Sequence, residues 1–243
     1  SEPGSRRARN FFDEYPRFFE SSQTSPIRGR LNLRYEAIIG ENQSILDGAR
    51  VLDIASHDGR WSFAALKAGA AHVTGIEGRA SLVEEAHRNL ALYGIGPDQF
   101  TFSAGDLFDV LHRETPKVDV VMCLGFFYHT LRYNELLKLI RDANPKYLII
   151  DTAIVQTAKP FIMVRTEDSE SERNAIHDAQ TFGERVLIGR PSLPALRRMV
   201  AAYGFRLDSL ADWGGLLRDN PDATGVGVYR NGNRITARCT STV

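Results

Sequence analysis

The chain is poor in cysteine, has no long apolar run and carries no net charge, and each shortage narrows what it does. Its 243 residues hold only Cys123 and Cys239. Two are too few for a disulfide framework and are not spaced as a metal site, so a reducing, cytoplasmic setting is the expectation. No apolar stretch approaches the roughly 18 residues that span a bilayer, so no membrane partner is expected. Thirty basic residues balance thirty acidic ones. Without a global positive field a nucleic-acid partner is not expected, although a local basic patch stays open. The opening Ser1-Glu2-Pro3-Gly4-Ser5 has no apolar core and reads as an appended or trimmed start, not a signal peptide.

What the chain does have is a regular rhythm after residue 50. Residues 1–243 are taken as one domain, with an N-terminal helical cap over 6–46 that mixes Phe11, Phe12, Tyr15, Phe18 and Phe19 with arginines. Apolar runs then predict strands at 51–55, 72–77, 99–103, 118–124 and 147–152, with helices at 60–69, 79–93 and 133–143. This alternation is that of an α/β parallel sheet covered by helices on both faces. Gly69 and Gly94 fall where two of the helices stop. After Asp151 the rhythm breaks, and the segment at about 153–190 is expected to be a lid, with 161–164 and 186–188 pairing as short strands. A helix at 192–203 and strands at 205–210 and 234–239 follow, the last two expected as an antiparallel hairpin at the sheet edge.

The turn from Val51 to Gly59 joins the first strand to the first helix, and Glu77 ends the next strand 24 residues after Asp53. Ribose-binding acids stand roughly 20 residues beyond such a turn. A hydride-transferring Rossmann enzyme would want three closely spaced glycines here, and the turn offers one. The order of motifs instead resembles the class I S-adenosylmethionine-dependent methyltransferases, over residues 49–243. Four stretches carry the resemblance: Asp53 to Gly59, with Ala55 and His57 where that family has glycines; Gly75-Ile76-Glu77; Ala104-Gly105-Asp106-Leu107; and Val118 to Gly125. The resemblance implies a Rossmann-like sheet with a C-terminal antiparallel hairpin and S-adenosylmethionine as cofactor. It assigns cofactor contacts to Asp53, Ala55, Gly59, Glu77 (ribose), Asp106 and Leu107 (adenine), and Cys123.

Methyl transfer to a hydroxyl needs a base that removes the proton. After the fourth strand comes Gly125-Phe126-Phe127-Tyr128-His129-Thr130, which makes His129 the candidate catalytic base; a cap for the next helix is its alternative role. An Asn/Asp-Pro-Pro-aromatic signature of N-methyltransferases is absent from this loop. The loop is similar to that of sugar O-methyltransferases of actinobacteria, which implies a small saccharide acceptor, down to the 1-hydroxyl of a 3-O-methylmannoside. It is also similar to that of enzymes that modify the wobble uridine of tRNA from an adenosylmethionine-derived cofactor, and this is the alternative function. Asp151, at the end of the fifth strand, is the candidate ligand for Mg²⁺, with His129, Asp168 or Asp178 to complete the set; metal dependence is left open, as is a homodimer. Phe11, Phe12, Tyr15 and Trp213 are candidates for stacking on a sugar or adenine, or else core. Arg165 and Arg190 flank the lid as candidates for hydroxyl or acidic groups, or else solvated surface.

Overall fold

The computed structural model describes residues 8, 10–21, 26–169, 171 and 181–243. The N-terminal part holds a 3-10 turn at Phe11–Glu14, α1 (Arg17–Glu20), α2 (Arg28–Ile38) and α3 (Gln43–Leu46). The alternating part runs β1 (Arg50–Ile54), α4 (Arg60–Lys67), β2 (His72–Glu77), α5 (Ala80–Leu92), β3 (Phe100–Ala104), α6 (Leu107–Arg113), β4 (Val120–Leu124), α7 (Tyr133–Asp142) and β5 (Tyr147–Ala153). Then come β6 (Ile162–Asp168), β7 (Arg185–Pro191), α8 (Leu193–Ala202), β8 (Phe205–Leu210), α9 (Trp213–Asp219), α10 (Gly227–Arg230) and β9 (Arg234–Ser241).

Seven strands form one sheet in the order β3-β2-β1-β4-β5-β9-β8. The first five are parallel, and β9 runs antiparallel between β5 and β8. A parallel strand with helices on both faces must be apolar on both sides, and β4, Val-Val-Met-Cys-Leu, is buried at every position. Its alternate residues feed two cores. Val121 and Cys123 pack with Leu136, Leu137 and Ile140 of α7, whereas Val120 and Met122 pack toward α4 and the N-terminal helices. The spacing of 136, 137 and 140 is the one-face repeat of a helix.

The N-terminal aromatics belong to the second core and not to a binding surface. Phe11 stacks on Tyr35 at 4.1 Å, Phe12 meets the edge of Trp61 at 5.7 Å, and Tyr15 meets Phe63 at 4.6 Å. Trp213 is likewise stacked on Tyr229 at 3.6 Å.

Three helices depart from the sequence reading. Asp106 starts α6, its Oδ1 accepting from the backbone N–H of Phe108 at 2.8 Å and of Asp109 at 3.2 Å. The strands β8 and β9 do pair antiparallel, but 211–233 between them carry α9 and α10, so a helical connection stands where a hairpin turn was expected. The lid segment contains the antiparallel pair β6–β7, in register Ile162 with Pro191 through Asp168 with Arg185. Among the described residues no helix is long and apolar enough to cross a membrane.

Candidate active site

The turn after β1 repeats one conformation at alternate residues. Ala55 has φ 56°, His57 φ 53° and Gly59 φ 78°, all left-handed. The family's glycine positions thus keep glycine-type geometry with two non-glycine residues, at a cost of roughly 1–2 kcal/mol each. The His57 backbone N–H donates to Glu77 Oε2 at 3.0 Å, which ties the turn to the end of β2. Gly59 begins α4, and a Cβ there would lie 2.9 Å from Ala86 Cβ and 3.0 Å from Leu90 Cδ1. Its bareness lets α4 and α5 close together.

A cavity of about 830 Å³ opens at the carboxyl ends of the strands, where open α/β sheets bind ligands. Of the residues singled out in the sequence, Ala55, Glu77, Asp106, Leu107 and His129 line it. Glu77 Oε1 accepts from the Arg79 backbone N–H at 3.0 Å, so each of its oxygens is fixed by one amide and keeps lone pairs for a ligand's hydroxyls. Asp106 spends only Oδ1 on its helix.

Asp53, Gly59 and Cys123 do not line the cavity. Asp53 is 1% exposed; its Oδ2 accepts from Ser62 Oγ at 2.7 Å, and its Oδ1 has no partner among the described residues. Burial, opposed by the Ser62 bond and reinforced by Glu77 and Asp58, raises this carboxyl to about 7. Burial also pushes the Cys123 thiol up to about 12, which makes it an inert core side chain. The residues present nonetheless fit S-adenosylmethionine: acceptors on the wall for ribose and adenine, and an orphaned carboxylate oxygen just behind the turn.

Also on the cavity wall, His129 ends the 3-10 turn Phe127–His129, and its Nδ1 lies 2.6 Å from Glu167 Oε2 of β6. The side chains are 10% and 17% exposed. His129 Nε2 makes no hydrogen bond among the described residues. His129 does not cap α7. Glu167 was not singled out in the sequence, because its pairing with a residue 38 positions earlier depends on how β6 folds back.

Asp151, expected as a Mg²⁺ ligand, is committed instead to neighbouring side chains. It is 0% exposed and bonded on all sides: Arg234 Nη2 at 2.6 Å, Arg34 Nη2 at 3.1 Å, Tyr229 Oη at 2.9 Å and Thr236 Oγ1 at 2.7 Å. Burial raises its pKa, but Arg234 and then Arg34 outweigh burial and hold the carboxyl at about 2. A divalent cation would have to displace two guanidiniums. His129 turns its Nδ1 to Glu167, Asp168 is absent from the cavity lining, and Asp178 lies outside the described residues. No group of three His, Cys, Asp or Glu that could hold a metal occurs among the described residues. Of the two lid arginines, Arg190 lines the cavity and Arg165 does not.

Residues 51–144 match the family described as "Methyltransferase domain". That stretch therefore resembles a methyltransferase domain, and the chain as a whole has the Rossmann-like methyltransferase fold, a mostly parallel sheet flanked by helices with an antiparallel strand pair at its C-terminal end. It is similar to "Protein arginine N-methyltransferase 1" of Saccharomyces cerevisiae, 31% identical over 140 residues, which are 57% of this chain and 38% of that protein. The chain spans about two fifths of the length of the curated relatives it matches. Among solved structures it resembles magnesium protoporphyrin IX methyltransferase from Synechocystis PCC 6803 with bound S-adenosylhomocysteine, at TM-score 0.58 and 17% identity, covering 96% of this chain and 95% of that one. An S-adenosylmethionine dependent methyltransferase from Mesorhizobium loti superposes at TM-score 0.56 and 13% identity, over 85% and 97% of the two chains.

Proposed function

We propose that this protein is an O-methyltransferase that acts on a hydroxyl of a small saccharide or similar polyhydroxylated acceptor, with His129 as general base. The observation that carries the reading is the His129–Glu167 pair on the cavity wall. A carboxylate at Nδ1 holds the ring proton on that nitrogen and leaves Nε2 as the proton acceptor, the same division of labour as in a hydrolase's acid–histidine pair. When bound, S-adenosylmethionine supplies a methyl group on a sulfonium, open to displacement by an oxygen nucleophile. The chain's part is to hold the acceptor in line and to take the hydroxyl proton onto Nε2 as attack proceeds. Asp151 supports no metal-assisted version, because its oxygens are committed to two arginines.

Arginine N-methylation, which the name of the yeast relative suggests, is disfavoured by charge. A substrate guanidinium would enter a wall that carries eight arginines and three acids.

The test is transfer of labelled methyl from S-adenosylmethionine to a panel of mannosides, other polyols and bulk tRNA, with and without His129→Ala. Label on a sugar oxygen, lost in the variant while S-adenosylhomocysteine affinity is kept, is the expected result. Label on nitrogen, label in tRNA alone, or an active variant would overturn the reading.

A further inference from the structure

On the cavity wall that holds His129, four guanidiniums gather around Asp151, and only two of them bond it. Arg34 and Arg234 both bond Asp151, and Arg30 and Arg190 have no ion pair among the described residues. All four line the cavity. The group is contiguous with the base. The Tyr128 ring lies 4.1 Å from the His129 ring, with the Arg234 guanidinium 5.3 Å and the Arg190 guanidinium 6.0 Å from its centre.

Two observations show that this positive cluster is incomplete as it stands. The Nε atoms of Arg30, Arg34 and Arg190 are buried and have no hydrogen-bond partner among the described residues, and the Arg34 side chain is only 8% exposed. A buried N–H left unbonded costs roughly 1–3 kcal/mol, more when it belongs to a charged group. Arg30 also feels its neighbours, since burial first and then Arg34 and Arg234 lower its pKa. Like charges gathered out of water with orphaned donors are the arrangement that an anion completes.

The cofactor would bring no net negative charge to it. Its amino-acid end brings a carboxylate but also an ammonium, which leaves the sum of charge unchanged. Asp151 cannot serve further, its oxygens being bonded already. A nucleic-acid backbone would need a basic stripe that continues outside the cavity; the arginines used here all face inward on one pocket.

We infer that the acceptor is itself an anion, a hydroxylated molecule whose carboxylate or phosphate seats on Arg30, Arg34, Arg190 and Arg234 while a neighbouring hydroxyl meets His129. Charge-assisted, forked contacts of this kind fix orientation as well as adding affinity. The inference rests on the O-methylation reading and narrows its substrate class from saccharides in general to sugar acids, sugar phosphates and compounds like them.

The experiment titrates acetate and inorganic phosphate separately into the protein saturated with S-adenosylhomocysteine, for the wild type, Arg190→Gln and Arg30→Gln. One of the two anions is expected to bind saturably and to lose about tenfold in affinity in each variant, with S-adenosylhomocysteine affinity within twofold; which anion binds separates carboxylate from phosphate. No saturable uptake overturns the inference. So does uptake only by the empty protein, displaced by S-adenosylhomocysteine, because the arginines would then hold the cofactor's own carboxylate. Transfer assays on mannose, mannuronate and mannose 6-phosphate then separate the two readings. Methylation of neutral mannose with equal KM sinks the anionic acceptor and keeps O-methylation, whereas label on nitrogen or in tRNA alone sinks both.

Discussion

His129 Nδ1 and Glu167 Oε2 stand 2.6 Å apart although one residue ends a loop of the parallel sheet and the other belongs to a strand outside it. The loop after β4 and the inserted β6–β7 pair therefore meet at His129, the base in the proposed reaction. Glu167→Gln keeps an acceptor for the ring N–H but removes the charge. It is expected to lower kcat by about tenfold to a hundredfold with little change in acceptor KM or S-adenosylhomocysteine affinity. Steady-state kinetics beside calorimetric binding will show this; a change in KM alone would mean that Glu167 binds the acceptor and does not position the base.

Asp151 is expected to act on stability and not through a metal. Removing a buried charge that two arginines face, as in Asp151→Asn, costs about 3–5 kcal/mol. Its folded pKa of about 2 lies below the ordinary carboxylate value. Its contribution is thus full above about pH 4 and is lost as pH falls toward 2. Denaturant unfolding of both proteins from pH 3 to 7 gives the numbers. Chelation should leave the methyl-transfer rate of the wild type unchanged, and a rate restored by added Mg²⁺ would contradict the assignment.

Asp53 has the opposite sign. Its carboxyl is raised to about 7 in the folded chain, so between about pH 4 and pH 7 the folded state keeps a proton that the unfolded state has lost. Stability from this group falls as pH rises through that window and is level above it. Asp53→Asn escapes the penalty. The gap in Tm between variant and wild type should widen from pH 5 to pH 7.5, and parallel curves would argue against the burial effect.

Gly59→Ala is expected to destabilise by about 2–3 kcal/mol, because its Cβ would press on Ala86 and Leu90 and the residue has φ 78°. Since Gly59 is not on the cavity wall, S-adenosylhomocysteine affinity measured well below Tm should stay within about threefold, roughly 0.6 kcal/mol. A lost affinity without a lowered Tm would place Gly59 at the ligand after all.

The parallel half of the fold was legible because its signals are local. Val51–Ile54, Val120–Leu124 and Tyr147–Ala153 are short apolar runs between turn residues, and Glu77 and Asp106 sit at fixed steps from them. Helices α6, α9 and α10 were missed since they are short and owe their starts to single capping acids, Asp106 and Asp212 in the first two cases. At the site, residues on strand ends were readable, whereas partners were not. Asp151 looked like a ligand from its position alone; Arg34, 117 residues before it, and Arg234, 83 residues after it, decide its chemistry. Glu167 sat inside a charged run that reads as solvated surface until β6 pairs with β7.

The β6–β7 insertion holds both Glu167 and Arg190, yet neither strand belongs to the seven-stranded sheet. On the proposed reading, acceptor handling thus draws on this insertion together with Arg30, Arg34, His129 and Arg234 outside it. Altering β6–β7 alone would then change how an acceptor is held while leaving in place the strand ends that carry Glu77 and Asp106.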